Sequence, residues 1–320
     1  MEFRALQPRE MNAWYDHVTS VFRGSRQYFM NHWENDPWQD VEGIRVAVEN
    51  GKFTSTVRVF IRQMYLNGEK VAVGGIGEVS TLPEYRRLGL ATRLLQDAIR
   101  FMEEREIAIS SLHGGQRIYS VEGWERIPRY FARERMPAKS DDTFHIRPID
   151  FQSPKELEQL AALYDGYSRR FNGTFVRDHS RYWQDWVRTE SPQAWVAEQD
   201  GEIKGYTSIG NTEERLFVKE FVASEDMFTR ARGKRIFDAL IGWAITHIGR
   251  DTHEVMFPAP VADGFNAKTV EQYGSAMYRI INRSQLPEHF KSLPNLLHRQ
   301  PETWDGGIAS HHVFWNTDGF

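Results

Sequence analysis

Apolar residues recur along this chain with two different periods. At Ala91, Leu94, Leu95, Ala98, Ile99 and Met102 they fall three and four apart with charges between them, which predicts an amphipathic helix over "LATRLLQDAIRFMEERE". Before it, "IRVAVENGKF" and "TSTVRVFIRQMYLNGEKVAVGGIGEVST" are β-branched and partly alternating, and read as strands. Asn50-Gly51 and Asn67-Gly68 break these runs as hairpin turns. After the helix, "IAISSL" (107–112) reads as a buried strand, and "GGQRIYSVEGW" as loop, short helix and turn. The first forty residues, with aromatic bands in "MNAWYDHVTSVF" and "SRQYFMNHWENDPW", predict helices that Pro37 closes.

A Pro-, Ser- and charge-bearing stretch at 137–150 marks a boundary. The order then repeats in outline. A helical zone at 154–188 leads to a hairpin in "AWVAEQDGEIKGYTSIG" around Asp200-Gly201, then a strand "LFVKEFV", a helical stretch near 225–248 and a strand-like "HEVMFPAP". We expect two copies of one α/β unit, over 1–138 and 144–283, followed by an irregular tail at 284–320.

The composition narrows the function. The 320 residues suit two ordinary domains, with 40 % hydrophobic and 26 % charged residues. A net charge of −4 argues against nucleic acid as the main partner. The absence of cysteine excludes disulfides, zinc thiolate sites and cysteine nucleophiles, and no metal site is expected. The N-terminus has no signal-peptide core, and no apolar run spans a bilayer. A cytoplasmic protein with no membrane partner is expected, and a homo-oligomer stays open. The abundant aromatics predict large cores, some of them lining a substrate cleft.

The stretch "LPEYRRLGLATRLL", residues 82–95, carries the chemistry. Pro83 stops strand pairing, and a helix follows. A helix start offers unpaired N–H groups and partial positive charge, which suit an anion. Gly89 lets a phosphate approach the backbone, Ala91 is nearly as small, and Arg86 and Arg87 add positive charge. The stretch reads as a seat for a diphosphate. No Gly-Lys-Ser/Thr follows, so it is not a P-loop, and no G-x-G-x-x-G opens the helix.

Arg86-x-x-Gly89-x-Ala91, in its strand-and-helix setting, resembles the acetyl-CoA-binding motif of the GNAT superfamily of N-acetyltransferases. "IYSVEGWERI", with Tyr119, Gly123 and Trp124, looks like that superfamily's closing motif. "VSTLPEYRRLGLAT", "SLHGGQRIYSVEGW" and "SAMYRIINRSQLP" further resemble the enhanced intracellular survival (Eis) acetyltransferases, which carry two tandem GNAT-like domains and a third, sterol-carrier-like one. In these 320 residues no room is expected for that third domain, whether lost or truncated. The resemblance implies an α/β fold of two tandem GNAT units, each a mixed, mostly antiparallel twisted sheet flanked by helices. The co-substrate it implies is acetyl-CoA, and the acceptor a small-molecule or peptide amine of aminoglycoside, polyamine or lysine type, attacking directly in a ternary complex.

By that resemblance Val79, Ser80 and Thr81 would pair with the pantetheine arm. The amides of Arg87, Leu88, Gly89, Leu90 and Ala91 would hold the diphosphate, with Arg86 beside them and Thr92 at the edge. Tyr119 matches the general acid that returns a proton to the departing thiolate, a task that suits a phenol. The base stays open between Glu78, the C-terminal carboxylate of Phe320 and a water. Alternation puts Glu78 and Ser80 on one strand face. His113 reads as a loop residue. Trp14, Phe22, Trp33, Glu34, Asp36 and Trp38 lie where GNATs build the acceptor site, although packing on the sheet explains most of them equally well. In the second copy, "RARGKR" (230–235) puts Arg235 where the motif needs a small residue. We expect it to lie inside a helix starting at Ser224, with Glu225 and Asp226 repelling a diphosphate. The alternatives to an enzyme are a catalytically idle CoA-binding regulatory or scaffold protein and a CoA-independent lipid or peptide binder.

Overall fold

The three Asx-Gly pairs read as hairpin turns, at 50, 67 and 200, do turn hairpins. Asn50, Asn67 and Asp200 have φ of 51, 52 and 54°, and the glycines that follow are also left-handed, as a two-residue turn requires. The fold is that of a computed structural model, which describes residues 1–22, 24–227, 230–262, 269–291, 312, 313 and 315–318.

The first unit runs β1 (Glu2–Ala5), α1 (Met11–Phe22), α2 (Arg26–Glu34), β2 (Ile44–Glu49), β3 (Lys52–Leu66), β4 (Glu69–Thr81), α3 (Leu90–Glu104), β5 (Ile109–Leu112), α4 (Arg117–Val121) and β6 (Glu125–Pro137). The second runs β7 (His145–Pro148), α5 (Pro154–Ser168), a π-helical turn Tyr182–Val187 leading into α6 (Arg188–Glu190), β8 (Ala194–Gln199), β9 (Glu202–Asn211), β10 (Arg215–Ala223), α7 (Arg230–His247), β11 (Thr252–Pro258) and β12 (Thr269–Ile280). The helical expectation for the first forty residues missed β1, a short edge strand pairing with β2. It carries only two apolar side chains, too few to show a period.

The strands form one sheet, ordered β1-β2-β3-β4-β5-β12-β6-β11-β10-β9-β8-β7. Pairing is antiparallel except for β4 with β5 and β10 with β11, the corresponding pair in each unit. The closing strands are exchanged. β12 of the second unit pairs with β5 of the first, and β6 of the first pairs with β11 of the second. The cores follow the exchange. Met277 of β12 packs with Leu94, Leu95 and Met102 of α3, while Ala132 and Met136 of β6 join the core around Trp183, Phe221 and Phe237. The sheet therefore crosses the 138/144 division read from the sequence.

α3 lies on this sheet as its period predicts, with Leu94, Leu95, Ala98 and Met102 fully buried. Met102 reaches the backbone at Gly74, where an added Cβ would come within 2.3 Å of its sulfur. On the opposite face α1 and α2 cover β2 and β3 through Trp14, Val18 and Phe29.

Candidate active site

The site begins where the sheet opens. β4 and β5 pair only from Val73–Ile109 to Gly75–Ser111. Beyond that point β4 runs on to Thr81 while β5 ends at Leu112, so β4 presents an edge from Ile76 onward. A β-bulge sits on this edge. Thr56 pairs with Ser80 and Arg58 with Gly77, leaving Glu78 and Val79 opposite Val57. Glu78 takes a left-handed φ of 51° there. Strict alternation does not foresee the bulge, yet Glu78 and Ser80 do face the same side. Glu78 lies against Arg58, and Ser80 meets His17 of α1.

The loop after β4 is folded to expose its amides. A 3₁₀ turn, Pro83–Tyr85, is capped by Leu82, whose N–H donates to Thr54 O at 3.0 Å. Arg87 and Gly89 then take φ of 66 and 74°, and Gly89 caps α3. Among the described residues, none of the N–H groups of Arg87 to Thr92 donates to the chain. Two left-handed residues ahead of a helix N-terminus make a concave nest of donors. An added Cβ at Gly89 would meet nothing within 4 Å, so this glycine serves the backbone angle and leaves space above it. Arg86 folds back, its Nε 3.3 Å from Thr81 O, and Leu88 points into solvent at 63 % exposure.

These parts line one cleft of about 400 Å³, with walls from Val79, Ser80, Thr81, Arg86, Arg87, Gly89, Leu90, Ala91, Thr92 and Tyr119. Val21, Tyr85, Gln116 and Ile118, which sequence reasoning did not single out, complete it. Tyr119 stands on α4 opposite the loop. Its ring meets Trp124 edge-on, with centroids 6.5 Å apart, and Trp124 is fixed by its own bond to Ser110 Oγ at 3.2 Å. Gly114 makes room, since a Cβ there would lie 2.9 Å from the tyrosine ring. Burial raises the Tyr119 pKa, which keeps the phenol protonated at neutral pH. His113 is an exposed loop residue, as expected.

Glu78 occupies the other side of the edge. Its side chain is 6 % exposed, its nearest cation is Arg58 Nη1 at 3.5 Å, and neither of its oxygens accepts a hydrogen bond from a described residue. Burial raises its pKa, against the pull of Arg58 and His32. Arg58 and Arg62, on the buried face of β3, share Asp36 Oδ2 at 3.1 and 2.9 Å. Both arginines lie over aromatic rings, Arg58 over Phe60 at 3.9 Å and Arg62 over Trp38 at 4.9 Å. Sequence reasoning missed these arginines. Their signal was two charges four apart in the run "TVRVFIRQM", on a strand otherwise apolar.

Several expected acceptor residues take other roles. Trp14 is a core residue, fully buried with its indole N–H on Thr56 Oγ1 at 3.0 Å. Asp36 is already neutralised by two guanidiniums and offers no free carboxylate to an amine. Trp38 packs on the core of the second unit and leans on Tyr182 at 5.0 Å. Trp33 is half-buried under Arg58, 4.9 Å away. Glu34 is exposed and Phe22 is 47 % exposed, near the equally open Tyr28. Phe320 lies outside the described residues.

The second copy also departs from expectation at one point. Its helix does not start at Ser224. Glu225–Met227 form a separate 3₁₀ turn, closed by the Ser224 hydroxyl on the Asp226 carboxylate, and α7 starts at Arg230. "RARGKR" therefore does open its helix. Arg235 is spent on Asp141, at 2.8 and 3.0 Å, and Arg232 Nη1 on Asp226 O at 3.0 Å. The cleft beside the 3₁₀ turn is walled by Glu202, Glu225 and Asp226 with Lys204. Among the described residues no group of His, Asp or Glu side chains could hold a metal ion, and no helix is long and apolar enough to cross a membrane.

Comparison with known proteins agrees with this geometry. Residues 2–127 match the acetyltransferase (GNAT) domain and residues 160–260 the acetyltransferase (GNAT) family. The chain belongs to the GNAT acetyltransferases, as a tandem-domain acyltransferase. Similar solved structures include a GCN5-related N-acetyltransferase from Anabaena variabilis, with TM-score 0.66 at 17 % identity, covering 88 % of this chain and 73 % of that one. Eis1 from Mycobacterium abscessus aligns with TM-score 0.60 at 17 % identity, covering 88 % and 74 %. N-myristoyltransferase from Saccharomyces cerevisiae, with bound myristoyl-CoA, aligns with TM-score 0.58 at 12 % identity, covering 88 % and 82 %. The curated proteins give no match.

Proposed function

We propose that this protein transfers the acetyl group of acetyl-CoA to a primary amine, with the chemistry in the first unit. The observation that carries the reading is the single cleft in which an unpaired β4 edge, six undonated loop amides and the Tyr119 ring converge. The amides of residues 87–92 would hold the diphosphate, and the β4 edge at Val79–Thr81 would pair with the pantetheine amides. Ser80 would act only through its backbone, because its hydroxyl is committed to His17.

In this reading Glu78 accepts the proton of the attacking amine. A carboxylate in water is a weak base at neutral pH, and burial brings Glu78 closer to the useful range. As the new C–N bond forms and the C–S bond breaks, Tyr119 donates its proton to the leaving sulfur. The amine would approach from the α1–α2 side, past Phe22 and Tyr28, because Glu78 faces that side. Acidic walls and internally paired arginines in the second unit favour one cofactor per chain.

The test is calorimetric titration of the full chain with acetyl-CoA, followed by a panel of spermidine, kanamycin and a lysine peptide with free-thiol detection. One site per chain and amine-dependent thiol release are expected. Binding without thiol release from any amine would leave a CoA-binding scaffold, and two equivalent sites would overturn the assignment to the first unit.

A further inference from the structure

Glu78 is surrounded from every element packed on it. Tyr15 of α1, Tyr28 and His32 of α2, Asp36 of the following loop and Arg58 of β3 all act on it or feel it. Within this set the spacing is graded. Arg58 Nη2 bonds Asp36 Oδ2 at 3.1 Å, whereas Arg58 Nη1 stays 3.5 Å from Glu78 Oε1, and the Glu78 oxygens accept no hydrogen bond from a described residue. Arg62 Nη2 holds the same Asp36 oxygen at 2.9 Å from the other side. The guanidinium of Arg58 rests on Phe60 at 3.9 Å and Trp33 at 4.9 Å, which fixes its plane.

The charges balance only in one state. Two arginines and Asp36 sum to +1, and an ionised Glu78 brings the buried group to zero. Without Arg58, burial would push the Glu78 carboxyl further above its ordinary value. With Arg58 bonded directly to it, the carboxylate would be a poor proton acceptor and closed to an amine.

We propose that Asp36 and Arg58 are positioning residues for Glu78: Asp36 draws the Arg58 guanidinium to itself, so that Glu78 receives a compensating charge and keeps its oxygens open. This rests on the reading of Glu78 as the base. Neither residue touches the reacting atoms.

The test is a pH titration of the full chain by infrared spectroscopy. The carbonyl stretch of protonated Glu78 is assigned as the band lost in Glu78→Gln. Arg58→Gln should move its midpoint up and Asp36→Asn should move it down, each by about one pH unit or more. Each unit is a tenfold change in the ionised fraction on the acid side. Midpoints that stay at the wild-type value, or move in the same direction, overturn the inference. Should Asp36→Asn fail to fold, Arg58→Lys decides. It keeps the charge and should leave the midpoint near wild type, whereas a midpoint equal to that of Arg58→Gln overturns the proposal. The pH profile of kcat/KM separates the two layers. An acid limb retained in Glu78→Gln overturns the base reading and this inference with it. A limb lost in Glu78→Gln, beside unmoved midpoints in the other variants, overturns this inference alone.

Discussion

Arg177 donates to both carboxylate oxygens of Glu220, at 2.8 and 2.6 Å, and its Nε reaches Asp318 at 2.9 Å. Glu220 follows the register shift in β10, as Glu78 sits in the bulge of β4. Both glutamates are buried on corresponding strands, but Glu220 is saturated by Arg177 and Tyr206 while Glu78 has Arg58 at 3.5 Å and accepts no hydrogen bond from a described residue. The same fold position is a hydrogen-bonded ion pair in one unit and a buried carboxylate without a hydrogen bond from a described residue in the other. Arg177 is fully buried, so Arg177→Met would leave two acids uncompensated. A loss of about 3–5 kcal/mol in unfolding free energy is expected from urea titration. A loss within about 1 kcal/mol would show that the network contributes little.

Gly89 has φ 74° and open space above its Cα. Gly89→Gln should cost about 1–2 kcal/mol through the left-handed backbone and should also place a side chain over the amide nest. Acetyl-CoA binding is expected to disappear in calorimetry while thermal unfolding stays cooperative. Normal binding by this variant would remove the diphosphate from this loop.

Tyr119→Phe deletes the hydroxyl and keeps the ring that packs on Trp124. Turnover should fall about 10²- to 10⁴-fold, the range for losing a positioned acid, with acetyl-CoA affinity unchanged. An unaltered kcat would make Tyr119 a packing residue of the last turn.

His17 joins α1 to the cleft strand. Its Nδ1 lies 3.2 Å from Phe53 O, which can only accept, so Nε2 accepts from the Ser80 hydroxyl at 3.0 Å. Burial holds its pKa down to about 4, below the ordinary 6.5. The unfolded chain therefore takes up this proton first. Stability from His17 is complete above pH 6.5 and is lost as the pH falls toward 4, by roughly 3 kcal/mol in all. Urea midpoints between pH 7 and 4 should fall less steeply in His17→Gln. Parallel slopes in the two proteins would rule out this titration.

Much of the cleft was legible in the chain because it is built locally. The helix period of 91–102, the three Asx-Gly turns and the glycine before α3 each depend on neighbours within a few residues. A phosphate-type nest is a backbone feature, so Arg87, Gly89 and Ala91 disclose it without the rest of the fold. Tyr119 was readable for the same reason, four residues before the left-handed Gly123.

What only the tertiary structure decided is long-range. The exchange of β6 and β12 leaves no mark in a hydrophobic period, because either pairing buries the same alternating faces. The bulge at Glu78 is set by its register against Arg58, on another strand. Trp14 and Asp36 looked like acceptor residues because an aromatic or a carboxylate near a site reads alike whether it meets solvent, a core or an arginine. Burial and the Arg58–Asp36–Arg62 contacts settled those roles. Residue types and short spacings thus define the cleft proposed for the cofactor, whereas the surroundings of Glu78 depend on partners that only folding brings within 4 Å.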